Sequence, residues 1–442
     1  MLFPRFCFAP RLVSVDQPTL KEINSLLYDF VWNGKDKVKR HALISDFEKG
    51  GLKMPDVESA ITSQRVMCIK KYVEEPHRSW KTILDHHLNS VGGAFLFKCN
   101  YDPNKLSLRL PRFYEECIKA WFRLNKYEPN TIEEISNEII WNNRFICIDK
   151  YSVFYRNIWS QGIYKIGDLY DQHGTLNLLL LNRLSSTERL ALNGVLHSFP
   201  HEWRLKIKEN RATILSLTKP LSQLFFLRLK GKQYSLLNIT SKQVYSSFID
   251  NLIIPPSAKT KYENKFKTDL DWPDIYTLPA KCCLDTKTRE FQFKVLHRIV
   301  YTKKLLYKIG KSDSPLCSFC GSHEETLEHL LVECEKVDVF WKLLAEWLAA
   351  YNVILEYLNE VDIILGVCKL GDDKVLINHI LLLAKYFIYK CSLKKMIPTV
   401  SLFVPRIRYT YDIEFRIATN KDKLPYHYKK WNKLLLFIYN KT

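Results

Sequence analysis

Apolar residues recur along this chain mostly with a helical period, most clearly towards its two ends. In "TLKEINSLLYDFVWN", Thr19 and Glu22 stand in capping-box spacing. Leu20, Ile23, Leu26, Leu27, Phe30 and Val31 follow at i, i+3, i+4 and i+7 steps, which predicts a helix with these six facing a core. The Gly50–Gly51 pair predicts a turn, and Asp56 is placed to cap a second helix to about Tyr72 with Ile61, Val66 and Ile69 inward. From about Glu75 to Pro256 the pattern weakens. "FYEECIKAWFRL" and "TIEEISNEIIWNN" read as short helices there, and "KQYSLLNITSKQVYSSFIDNLI" as a strand or hairpin entering a helix capped at Thr240 or Ser241. "IIPPSAKTKYENKFKTDLDWPD" reads as a linker, being basic and apolar-poor after a Pro–Pro break. Beyond it, "DTKTREFQFKVLHRIVYTKKLLYKIG" predicts one helix ending at Gly310, with Phe293, Leu296 and Val300 inward. "KVDVFWKLLAEWLAAYN" puts Phe340, Trp341, Leu344, Leu348 and Tyr351 on one stripe, and a further helix begins near Asp373. The fold class is mainly α, a multi-domain helical assembly without internal repeats.

Composition narrows the class of partner. The 442 residues carry a formal net charge of +19 and are 47% hydrophobic, enough for a substantial core. Thirteen lysines and arginines stand against three carboxylates from Lys385 onward. Such a balance points to an acidic partner, nucleic acid or an anionic membrane. The membrane is disfavoured: "INHILLLAKYFIYKC" stops short of a span and contains Lys385 and Lys390. The N-terminus is interrupted by Pro4, Arg5, Pro10 and Arg11, so no targeting segment is expected. Of 12 cysteines, Cys68, Cys99, Cys117, Cys147, Cys368 and Cys391 sit singly in apolar surroundings, as reduced thiols of an intracellular protein do.

Three other cysteines do not sit singly. Cys317, Cys320, His329 and Cys334 form C-x2-C-x8-H-x4-C. Two thiolates three residues apart make a knuckle, Gly321 supplies the turn after it, and a short helix in "EETLEHLLVEC" presents His329 just before Cys334. Three soft sulfurs and an imidazole suit one tetrahedral Zn2+, and four protein ligands leave no open position, so the site is expected to be structural. His323 competes for the nitrogen position but lies cramped against Cys320. Buried thiols beside a surface histidine are the alternative. Glu324 and Glu325 are expected on the exposed side of the short helix.

Two stretches resemble a known family. "LYDFVWNGKDKVKRHALISDFEKGGLKMPDVESAITSQRV", with Phe30 to Trp32, basic Lys37 to Arg40 and Gly50–Gly51–Leu52–x–x–Pro55–Asp56, resembles the segment after the palm of non-LTR (LINE-type) retrotransposon reverse transcriptases. The stretch around the cysteines, with Glu325, Thr326, His329, Leu330, Cys334, Phe340 and Trp341 in place, is similar to the zinc-binding region near the C-terminus of the same proteins. The resemblance implies a thumb-like helical segment over 1–75, a helical connecting region over 76–256, and a basic zinc-bearing domain over 257–442. It also implies that such a chain begins after the polymerase active site. The family's (Phe/Tyr)-x-Asp-Asp turn, which holds catalytic cations, does not occur. Asp372–Asp373 lack the preceding aromatic and read as a helix N-cap with a solvated neighbour. The upstream endonuclease is missing too.

The expected role is therefore non-catalytic: gripping template RNA and primer or target DNA in target-primed reverse transcription, beside a palm supplied by a longer polyprotein, in nucleus and cytoplasm. No hydrolase, P-loop or zinc-protease motif argues otherwise. Two basic groups are the candidate phosphate contacts: Lys35, Lys37, Lys39 and Arg40 after the first helix, and Lys287, Lys294, Arg298, Lys303, Lys304 and Lys308 along the helix before the cysteines. Tyr301 and Tyr307 could stack on bases. The basic tail, with Tyr409, Tyr411, Tyr426, Tyr428 and Trp431 interleaved, is a further candidate. The competing reading is a zinc-stabilised protein-interaction module derived from a retroelement.

Overall fold

The computed structural model describes residues 14–74, 79–221, 226–229, 232–235, 238–355, 359–367 and 374–439. The fold is mainly α. Its strands among the described residues are two short antiparallel hairpins, Cys147–Ile148 with Tyr151–Ser152 and Phe226–Leu229 with Lys232–Ser235. The chain forms two compact units, one from the residues up to Leu27 with Pro55–Leu252, the other from Tyr28–Met54 with the residues from Ile253 onward.

Helix α1 (Gln17–Trp32) opens the described chain. Its start is capped by Asp16, whose Oδ1 accepts the Thr19 N–H at 2.9 Å, and not by Thr19 as the sequence pattern suggested. Its inward face is also turned from expectation. Leu20, Tyr28 and Trp32 are buried, whereas Leu26 and Phe30 are 63% and 91% exposed. Tyr28 and Trp32 pack with Leu43, and that aromatic pair fixes which side of the helix faces inward.

In the first unit, α2 (Val57–Glu74) is capped by Asp56 through Ser59 N–H at 2.8 Å and turns Val66, Ile69 and Tyr72 inward. It packs against α3 (Arg112–Asn125), which contributes Cys117, Ile118 and Trp121 to the same core. The buried Arg65 is paired with Glu116 at 2.9 Å. A second core in this unit collects Trp141, Ile163, Ile166 and Trp203, the last on α4 (His201–Glu209). The hairpin of Phe226–Leu229 and Lys232–Ser235 leads into α5 (Ser241–Asp250), capped by a Thr240–Gln243 box as the sequence predicts.

The second unit corrects two expectations. Residues read as linker form α6 (Ser257–Phe266), begun after Pro256. Ala258 and Tyr262, four apart and so on one face, reach the core, and the Tyr262 hydroxyl donates to Val295 O at 2.7 Å. After α7 (Trp272–Cys282), the long helix expected before the cysteines is two, α8 (Thr286–Leu296) and α9 (Lys303–Lys308). The break falls at Arg298, whose backbone is left-handed at φ 55°. Its guanidinium is ion-paired with the buried Glu328 and lies over the Tyr262 ring, which holds the chain out of helix there.

The core is completed by α10 (Glu335–Ala349), α11 (Glu360–Leu365), α12 (Lys374–Lys394), α13 (Val400–Asn420) and α14 (Leu424–Trp431). Among the described residues α12 is the one helix long and apolar enough to cross a membrane, but most of that window is buried inside the unit, as in a core helix. Lys385, fully inside, donates from Nζ to Ile364 O at 2.9 Å, and burial pushes its ammonium down to about 7.

Residues 28–54 are welded onto this unit. Tyr28, Trp32 and Leu43 pack with Phe293 and Ile299, and His297 Nε2–H donates to Gly50 O at 2.9 Å. Gly50 needs its left-handed φ of 80°, and a Cβ on Gly51 would sit 2.0 Å from Ser45 O. The double glycine is thus where chain passes chain with no room for a side chain. Gly51→Ala should lower the zinc-loaded chain's stability by about 1–3 kcal/mol, the usual cost of overpacking. Urea unfolding followed by tryptophan fluorescence measures this, and an unchanged midpoint would refute the close-approach role.

Candidate metal centre

The knuckle is built by backbone hydrogen bonds. Cys317 N–H donates to His323 O at 2.8 Å, and Gly321 N–H to Cys317 O at 3.0 Å. Gly321 takes a φ of 65°, the left-handed turn that glycine adopts without strain. The other two donors come from a single π turn, His329–Glu333, closed by Cys334 N–H on His329 O at 3.0 Å. That i to i+5 closure replaces the short α-helix expected from sequence, and brings Cys334 round to the side His329 faces. Thr326 Oγ1 accepts the His329 N–H at 3.0 Å.

The four donor atoms lie within 4.8 Å of one another. Cys317 Sγ and Cys334 Sγ are 3.9 Å apart, and Cys320 Sγ and His329 Nε2 3.4 Å. Bond lengths of about 2.3 Å to sulfur and 2.0–2.1 Å to nitrogen give tetrahedral edges of about 3.8 and 3.5 Å. The donor set and its spacing fit Zn2+, and the chain carries one structural zinc site. The donors brought together are those of Cys317, Cys320, His329 and Cys334, without His323, whose Nδ1 lies 3.0 Å from Ser322 Oγ.

Electrostatics explains why a cation is needed. Burial pushes the Cys317 thiol up to about 12 and raises Cys334 as well. At Cys320 the same desolvation is overcome by hydrogen bonds from Ser322 and His323, which bring it down to about 5. One thiolate forms readily, and two more beside it need a positive ion at the centre.

Around the metal ligands the structure overturns one expectation. Glu324 is exposed, but Glu325 is 1% exposed. Its carboxylate accepts from Lys303 N–H at 2.9 Å, Ser318 N–H at 3.0 Å and Ser392 Oγ at 3.4 Å. A buried carboxylate survives because donors from α9, the knuckle and α12 converge on it. Trp341 Nε1 donates to Leu331 O at 2.8 Å, and Phe340 packs on Phe387 and Phe403. Helical period alone could not find Glu325. The signal lay in the Glu-Thr pair before the histidine, read above only as part of a resemblance.

The basic candidates divide. Lys294, Arg298 and Lys304 pair with Glu290, Glu328 and Glu324. Lys287 and Lys308 are exposed and Lys303 half-buried, and none of the three has an ion pair among the described residues. Lys35 and Lys39 are exposed, while Arg40 pairs with Asp36 and lies over the Tyr28 ring. Lys37 Nζ lies over both the Trp32 ring, 5.8 Å from its centre, and the Tyr301 ring, at 5.1 Å. The structure therefore joins the 35–40 group to the start of α9. In the tail, Tyr411 and Trp431 are core residues, while Tyr409 and Tyr426 are exposed. Asp372–Asp373 lie outside the described residues.

Residues 257–341, from the start of α6 to Trp341, match the protein family described as zinc-binding in reverse transcriptase. This part of the chain is a reverse-transcriptase-related zinc-binding region. No curated protein matches the chain.

Protein purified under reducing conditions should hold one zinc per chain by atomic absorption, and Cys334→Ala should abolish that stoichiometry; a variant that keeps its zinc would dismiss this ligand set. Glu325→Gln removes a buried charge from three donors and should cost about 1–3 kcal/mol in stability with zinc retained. Thermal melting of the zinc-loaded variant reads this, and an unchanged melt would return Glu325 to the surface.

Proposed function

We propose that this chain is the non-catalytic, nucleic-acid-binding C-terminal portion of a retrotransposon reverse transcriptase of the non-LTR type. In this reading it grips template RNA and primer or target DNA in nucleus and cytoplasm, and polymerisation belongs to a palm elsewhere in a longer polyprotein. The observation that carries the reading is the contact of Lys37 with Tyr301. It makes one surface of two basic segments far apart in sequence, the second of them inside the region related to the zinc-binding part of reverse transcriptases.

The chemistry of that surface suits a polyanion. Lys35, Lys39 and Lys303 lack ion pairs among the described residues, and Tyr301 keeps 39% of its surface in solvent. Lysines scattered on a loop and a helix start contact phosphates without reading sequence. Lys37, resting between two rings, stiffens the patch. The expected binding is tolerant of sequence and steeply dependent on salt.

The test is a fluorescence-anisotropy titration of the full zinc-loaded chain with single-stranded RNA at several salt concentrations. Replacing Lys35, Lys39 and Lys303 by Gln should weaken binding and flatten the logarithmic salt slope by about 2, at roughly 0.7 per lost phosphate contact. Binding that is absent or indifferent to salt would favour the protein-interaction module instead.

A further inference from the structure

The first unit contains an open cavity of about 570 Å3 beside α4. That lies within the range of ligand-binding clefts. Arg204, Lys208 and Arg211 line it, four and three residues apart along α4 and its exit. Tyr170, Leu176 and Phe199 supply an apolar and aromatic wall.

Three features distinguish this cleft from an ordinary solvated helix face. Arg204, Lys208 and Arg211 form no side-chain ion pair or hydrogen bond among the described residues, and no carboxylate lines the cavity. The nearest acid in sequence to the wall, Asp171, is committed elsewhere: its carboxylate accepts from the His173 and Thr175 N–H groups and the Thr175 hydroxyl. The rim is built by close approach, since Gly174 sits at φ 69° and a Cβ there would lie 2.2 Å from Arg211 O. Like charges at this spacing repel one another, and here they share a cleft with apolar and aromatic side chains. An occupant with an anionic side and a flat apolar side satisfies both halves.

We infer that this cleft binds one or two nucleotides of a single-stranded polynucleotide, with phosphates on Arg204, Lys208 and Arg211 and a base against Tyr170 and the neighbouring wall. An anionic lipid headgroup offers the phosphate but leaves the aromatic wall without a planar partner. The inference shares the nucleic-acid premise of the proposed function but concerns different residues in a different unit.

The test photocrosslinks a 12-nucleotide single-stranded RNA containing 4-thiouridine to the full zinc-loaded chain and maps the adducts by mass spectrometry. It is run on wild type, on Arg204→Gln/Lys208→Gln/Arg211→Gln, and on Lys35→Gln/Lys39→Gln/Lys303→Gln. Adducts within residues 170–211, and an affinity about tenfold weaker in the α4 variant at unchanged melting temperature, are the expected result. Wild-type RNA binding that only the Lys35 variant weakens, with no adduct in 170–211, overturns this inference and leaves the proposed function standing. Wild type that binds no RNA overturns both. Vesicles containing phosphatidylserine serve as the lipid control: capture that depends on the three α4 cations, without RNA adducts, overturns the assignment in favour of a headgroup.

Discussion

The second unit is organised around a buried surplus of negative charge and the groups that neutralise it. Three thiols and an imidazole share one small volume, and a metal ion is what lets the thiols ionise together there. Only one ligand away, Glu325 repeats the problem with a carboxylate, answered this time by hydrogen bonds instead of a cation. Glu328 repeats it again, answered by Arg298 and Lys265. Each solution draws in a different stretch of chain, so that the short sequence between Cys317 and Cys334 reaches α6, α9, α12 and the turn at Arg298. Breaking a buried charge from its partner costs more than the pair itself contributes, which makes these few groups the ones the unit tolerates least well losing.

That arrangement also accounts for what the sequence did and did not disclose. The zinc ligands were legible because ligand spacing is local: two cysteines in a knuckle, and a histidine and cysteine on one turn, need no knowledge of the rest of the fold. Asp56, Val66 and Ile69 on α2, and the Thr240 cap of α5, were legible for the same reason. Glu325 was not, because its three donors come from Ser318, Lys303 and Ser392, and a helical wheel sees none of them. Nor was the break at Arg298, where apolar spacing runs on unchanged and the partners of the guanidinium, Glu328 and Tyr262, are distant in sequence.

The linker reading of residues 257–266 failed on a related point. A stretch with many lysines and few apolar residues resembles a solvated connection when apolar residues are counted. Two residues on one face were enough here, because one of them is a tyrosine that both fills the core and finds a carbonyl for its hydroxyl. Helix α1 shows the converse. It has a generous apolar stripe, but the face that enters the core is the one bearing the larger rings, and Leu26 and Phe30 are left in solvent.

The metal and the basic surface are linked by a short physical chain. Zinc fixes the knuckle; the knuckle carries Glu325; and Glu325 accepts the N–H of Lys303, the first residue of α9. Tyr301, two residues before it, is thereby held where Lys37 can rest on its ring. A structural ion held by four ligands thus positions the contact of the half-buried Lys37 with Tyr301 without touching it. The zinc site needs no open coordination position to shape the surface, because what it governs is where α9 begins.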